Sequence, residues 1–173
     1  MKIILKPIGS VETQVISELK ERLKQTFGCP VETKPESGNL EQAYDPKCKQ
    51  YLASKLLDDF KKSGVAKDEK VLGIVKVDLY APDLSFVFGQ ADMDSGVAVI
   101  SLHRLKPTYY GSSWDKAIYF DRAAKEAIHE LGHTFGLEHC PDPKCVMHFS
   151  NSLADTDHKQ AAFCGQCRPK LIK

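Results

Sequence analysis

The chain has 173 residues, 42% of them hydrophobic and 27% charged, with a formal net charge of +1. That is enough chain for one domain with a substantial core. The near-zero charge gives no electrostatic basis for binding nucleic acid or an anionic membrane. No apolar stretch approaches the roughly 20 residues a membrane helix requires. The opening segment Met1-Lys2-Ile3-Ile4-Leu5-Lys6-Pro7 is too short in its apolar run for a secretory leader. The expectation is therefore a cytoplasmic protein, with nothing demanding more than a monomer.

Residues Lys2 to Ile8 are predicted as a first strand. Val11 to Phe27 follows as a helix, with Val15, Leu19 and Leu23 at steps of four, Ser10 as its cap and Gly28 as its stop. Residues 30–34 form a weak strand candidate, and residues 35–48, with their Pro, Gly, Asn and Asp, a loop. Tyr51 to Lys62 is predicted helical, with Leu52, Leu56 and Phe60 on one face. Three strand-like runs come next. Val71 to Tyr80 alternates as a half-buried strand, and Ser85 to Ala91 is a short edge strand containing Gly89. Gly96 to Leu102 is almost wholly apolar and fits a central strand. A short helix is expected around 157–163. The βαβα order predicts an α/β fold, a mixed twisted sheet with packed helices.

A loop containing Pro107, Tyr109, Tyr110 and Gly111 leads to the most informative segment, His129-Glu130-Leu131-Gly132-His133-Thr134-Phe135-Gly136-Leu137-Glu138-His139. It spells H-E-x-x-H-x-x-G-x-x-H, the extended zinc-protease pattern. Residues four apart lie one above the other on a helix, so His129 and His133 can address one metal. Glu130 sits about 100° round the same helix, off the ligand axis. Gly136 lets the chain leave the helix with φ > 0 and return with His139 as third ligand. Three protein ligands leave one position for water, which is the catalytic pattern of zinc. Ile128, Leu131 and Phe135 supply an apolar stripe for this helix, and Asp121 is the expected N-cap.

Four of the six cysteines crowd the C-terminus: Cys140, Cys145, Cys164 and Cys167. The pattern is C-x4-C, eighteen residues, then C-x2-C. Two close pairs separated by a loop suit a structural zinc site with four thiolate ligands, and two disulfides in a secreted protein are the alternative. Cys29 and Cys48 are expected as free thiols. His103, His148 and His158 have no spacing that links them to the zinc motif and are expected as satisfied or surface histidines.

Together these motifs resemble the archaemetzincins of the metzincin clan. The resemblance rests on the extended histidine motif, His139-Cys140, the C-x4-C pair, Met147 two residues after Cys145, and Cys164-Gly165-Gln166-Cys167. The Phe88-Gly89-Gln90-Ala91 and Ser101-Leu102-His103-Arg104-Leu105 segments are also similar. It implies one protease domain over 1–173, with residues 1–136 forming an upper subdomain that holds the sheet and active-site helix. Residues 137–173 would form a small Cys-rich lower subdomain. It implies a catalytic zinc on His129, His133 and His139, a structural zinc on the four cysteines, and Met147 in a tight turn beneath the catalytic metal. Some clan members place a Tyr near that turn, where this chain has His148 and Phe149.

The function expected is a zinc-dependent metallopeptidase acting on peptides, small ones above all, with Glu130 as the general base. The edge strand Ser85 to Ala91 could receive an extended peptide by strand addition. A catalytically silent two-zinc binding or adaptor protein is the alternative. A nucleic-acid module built on the four-cysteine site draws only on Arg168, Lys170 and Lys173, against a near-neutral chain.

Overall fold

The computed structural model describes residues 1–34 and 40–171. Residues 35–39 of the expected 35–48 loop, and Lys173, lie outside that range. Two sheets organise the chain. The larger has five strands in the order β2 (Val31–Thr33), β1 (Lys2–Pro7), β5 (Glu69–Val75), β9 (Val97–Ser101) and β8 (Gly89–Asp92). All its pairings are parallel except β8 with β9. The smaller has four short strands, in the order β3 (Tyr44–Asp45), β4 (Gln50–Leu52), β6 (Leu79–Ala81) and β7 (Leu84–Val87). The α/β class with a mixed sheet is as expected.

One face of the five-stranded sheet is covered by α1 (Thr13–Phe27) and α3 (Lys116–Thr134), and the other by α2 (Ala53–Lys62). Successive side chains of a strand point to opposite faces, and β5 divides accordingly. Leu72 and Ile74 pack with Leu19, Leu23 and Ile128, while Val71 and Val75 pack with Leu56 and Phe60. β5 is thus buried on both faces, as a strand sandwiched between helices must be. Gly73 lies where the ring of Phe60 closes on the sheet, and a Cβ there would collide with that ring.

Several boundaries differ from expectation. The Val71–Tyr80 run divides into β5 and β6, which lie in different sheets. Leu102 N–H donates to Val75 O and Ser101 Oγ to Val77 O, holding the bend between them. Ser85–Ala91 likewise divides into β7 and β8, so only Gly89–Asp92 forms the edge of the larger sheet. Tyr51 and Leu52 end a strand rather than begin the second helix. Helix α1 starts at Thr13 without a side-chain cap, so Ser10 does not cap it, while Gly28 closes it at φ 66° as expected. Helix α3, which carries the histidine motif, begins earlier than the motif context suggested. Asp115 caps it, accepting from the Ile118 N–H at 3.0 Å. Asp121 lies inside the helix and pairs instead with Arg22 (3.0 Å) and Lys125 (2.8 Å). The late helix, α4, spans Leu153–His158. It carries a capping box in which Ser152 Oγ donates to Asp155 and the Ser152 and Asn151 N–H groups donate to the same carboxylate.

Candidate active site

Helix α3 delivers His129, Glu130 and His133 from a core position, since Ile128 and Leu131 on its inner face are fully buried. At its C-terminus Phe135 N–H donates to Leu131 O, Gly136 adopts φ 86°, and Leu137 N–H returns to Gly132 O. That reversal carries His139 back toward the helix. The ligating nitrogens of His129, His133 and His139 all lie within 4.8 Å of one another, with Nε2 of His129 and His133 3.2 Å apart.

Each helical histidine is held by its other nitrogen. His129 Nδ1 lies 2.7 Å from Val146 O, and His133 Nδ1 lies 2.7 Å from Leu137 O. A carbonyl can only accept, so Nδ1–H donates and Nε2 keeps its lone pair, as metal-binding histidines require. Burial holds the pKa of all three imidazoles below the ordinary value, most strongly for His129, which keeps them neutral. Tetrahedral zinc with bonds of about 2.0–2.1 Å sets nitrogens roughly 3.3 Å apart. The donor set therefore fits zinc in chemistry and in spacing.

The four cysteines form a second cluster, their sulfurs within 4.8 Å of one another and Cys140 Sγ 3.8 Å from Cys164 Sγ. None is in a disulfide. Zinc–sulfur bonds of about 2.3 Å set tetrahedral sulfurs roughly 3.8 Å apart, so this set also fits the metal. Backbone N–H groups of Cys167 and Gln166 pull the Cys164 thiol down to about 7, while burial pushes the Cys145 and Cys167 thiols up. Cys140 follows His139 directly, and its N–H donates to Met147 O at 2.9 Å. Met147 is fully buried under the helix, where a Cβ on Gly132 would collide with its sulfur. The two clusters are thus joined through one short stretch of backbone. Cys29 and Cys48 lie apart from both.

Glu130 is enclosed, and burial pushes its carboxyl well above the usual carboxylate range, with the neighbouring Glu126 charge adding to the rise and Lys159 opposing it. It lines a cavity of about 240 Å³ together with His129, Glu126, Lys159, Phe86 and Phe149. Phe149 also packs edge-on against His139, with ring centroids 5.0 Å apart.

Comparison with known proteins places this arrangement. The profile of Peptidase family M54 matches residues 7–173. The archaemetzincin of Pyrococcus furiosus is 48% identical over 178 residues, covering 98% of this chain and 91% of that protein. The chain belongs to this family, the archaemetzincins. It is a zinc metallopeptidase by that membership. Two solved relatives share the fold across their length. A zinc-dependent peptidase from Methanocorpusculum labreanum superposes with TM-score 0.89 at 33% identity, covering 98% of this chain and 99% of its own. The archaemetzincin from Methanopyrus kandleri gives 0.86 at 40% identity, covering 99% and 93%.

Reading by motif missed a buried polar group that borders the Glu130 cavity. Glu126, Thr156 and Lys159 form a buried polar group beside Glu130, with Thr156 Oγ1 3.0 Å and Lys159 Nζ 3.3 Å from Glu126 Oε1. The i, i+4 spacing of Glu126 and Glu130 was available as a signal, while the approach of Lys159 was not. His148 bonds Cys140 O through Nδ1 at 2.9 Å, and His103 packs edge-on against Tyr109. Both have the structural partners expected of them. No helix among the described residues is long and apolar enough to cross a membrane.

Proposed function

We propose that this metallopeptidase hydrolyses short peptides at His129, His133 and His139, with Glu130 as general base. The observation that carries the reading is the convergence of three imidazoles, one of which, His129, lines the same cavity as the buried Glu130 carboxyl. Zinc, when bound by the three histidines, supplies a Lewis acid that polarises the scissile carbonyl and acidifies water. Glu130 takes the proton of the attacking water and passes it to the departing amine. Its raised proton affinity suits both halves of that transfer. Val146 O and Leu137 O hold His129 and His133 in one orientation, and this reading gives Met147, which packs against Gly132 of the same helix, the role of an apolar floor.

The same reading gives the four cysteines a second, structural zinc. It divides the chain into an upper part, 1–136, and a lower part, 137–173, on either side of the substrate cleft. The outer edge of β8, which pairs with no further strand among the described residues, and the Asp83–Gly89 stretch along the cavity offer an extended peptide backbone groups to pair with. The small cavity favours short substrates with one side chain inserted.

The test is digestion of a mixed peptide library by the zinc-loaded protein and by Glu130→Ala, with products read by mass spectrometry. Cleavage by the unmodified protein alone, with a loss of about 10²–10⁴ in rate for the variant, is the expected result. Equal cleavage by both would overturn the role given to Glu130.

A further inference from the structure

One buried face of α3 is polar, where the buried face of a helix is ordinarily apolar. Arg122, Lys125, Glu126 and His129 recur on it at i, i+3, i+4 and i+7, and all four are buried. Each bonds the C-terminal segment. Arg122 holds the Asp157 carboxylate through two bonds of 2.7 Å, and Lys125 Nζ donates to Asp157 O at 3.2 Å. Glu126 Oε1 accepts from Thr156 Oγ1 and pairs with Lys159 Nζ. His129 Nδ1 donates to Val146 O. The row of docking residues thus runs without a break into the histidine set.

Lys159 makes a second attachment. Its side chain is 0% exposed, and its ammonium bonds both Glu126 Oε1 and His148 O, each at 3.3 Å. An enclosed ion pair gains little stability over well-packed apolar side chains of the same volume. What an apolar pair could not supply is the bond to His148 O. Through it the Val146–His148 turn is fastened to α3 at both ends: Val146 O by His129, and His148 O by Glu126 through Lys159. The backbone beside Lys159 is laced to the same loop. Gln160 N–H donates to Lys144 O at 2.9 Å, and Val146 N–H donates to Ala162 O at 3.0 Å. A shift of the Lys159 segment along α3 would therefore carry Val146 O away from His129 Nδ1.

We infer that Glu126 and Lys159 are positioning residues for His129. They register the Val146–His148 turn on α3, so that Val146 O meets Nδ1–H and Nε2 keeps its lone pair for a metal. Their action on the metal is wholly through His129. The inference rests on the reading of the three histidines as a metal site.

The test titrates a competing chelator into the zinc-loaded protein while nitrogen NMR of isotope-labelled histidines follows the His129 ring. Lys159→Met or Glu126→Gln alone strands a buried charge and can unfold the protein. Glu126→Gln with Lys159→Met removes both charges together and should melt close to the parent. In this double variant the histidines should release zinc at about 10- to 100-fold lower chelator concentration, the usual result of losing an outer partner of a metal ligand. Metal held by the four cysteines should be retained. The emptied His129 ring should show both tautomers where the parent shows Nδ1–H alone. Asp157→Asn weakens the docking of α4 without touching the turn, so it should lower Tm and leave zinc release unchanged. A double variant that holds zinc as tightly as the parent with Nδ1–H intact would overturn the inference, as would an Asp157→Asn protein that loosens zinc equally. If the parent binds no zinc at its histidines, the metal reading fails separately, and the same spectra decide the positioning role. A tautomer mixture confined to the double variant supports it, and one shared tautomer refutes it.

Discussion

The side chain of Glu130 occupies the space that any side chain on Gly89 would need. A Cβ on Gly89 would stand 2.6 Å from Glu130 Cγ, 2.8 Å from Glu130 Oε1 and 2.8 Å from the carbonyl oxygen of Val99. Val99 O belongs to the paired strand β9 and cannot retreat, so the carboxyl must move. Gly89→Ala should therefore lower kcat/KM by about 10²-fold, the usual result of misplacing a reacting group by about an ångström. Steady-state kinetics and a thermal melt check it. A folded variant with unchanged kcat would show that Glu130 tolerates displacement.

A second close approach joins Gly132 to Met147. A Cβ at Gly132 would collide with the Met147 sulfur and come within 3.1 Å of its methyl and 3.2 Å of the Phe163 ring. Gly132→Ala overpacks this layer and should cost about 1–3 kcal/mol. For a chain of this length that lowers Tm by roughly 2–12 °C. Calorimetry measures the shift, and an unchanged melt would mean that the methionine layer yields without cost.

Glu130 also sets a pH dependence in the metal-free protein. Its carboxyl is raised well above the ordinary 4.5 by burial, so the folded chain binds its proton more tightly than the unfolded chain does. Stability from this group is complete below pH 4.5 and is lost as pH rises through the folded value. Metal-free Glu130→Gln should accordingly melt higher than the metal-free parent at neutral pH, with the gain vanishing as pH approaches about 4. Melting curves of both proteins across that range test it. A gain that instead grew toward low pH would reverse the sign.

The cysteine cluster should carry stability that the histidine cluster does not. The chain from Leu137 to Leu171 has only one α-helix, α4, and is anchored through buried Cys140, Cys145, Cys167 and Val146. Metal binding at such a site is coupled to folding. Cys164→Ser should lower Tm and raise amide exchange across this segment, and because Cys140 adjoins His139 it should weaken metal binding at the histidines too. Chelation that leaves melting and exchange unchanged would exclude a structural metal there.

Much of the site was legible because it is local. His129, Glu130 and His133 are brought together by one helix period, and Gly136 by the left-handed turn it alone accepts easily. Val15, Leu19 and Leu23 mark the buried face of α1 for the same reason, since a repeat of four is a property of the helix itself. Strand boundaries were less legible. Val71–Tyr80 and Ser85–Ala91 are each continuous in pattern, yet each passes from one sheet to the other at a bend held by hydrogen bonds from Ser101 and Leu102.

The linear order of residues thus determined the two candidate metal-ligand sets, the family and the helical scaffold, because their spacing maps directly onto backbone geometry. Only the tertiary structure decided that Gly89 abuts Glu130, that Met147 fills the space left by Gly132, and that Lys159 is enclosed against Glu126. Those contacts join residues 15 to 41 positions apart. They depend on how the helix, the sheet edge and the C-terminal loop close on one another, which no local period encodes.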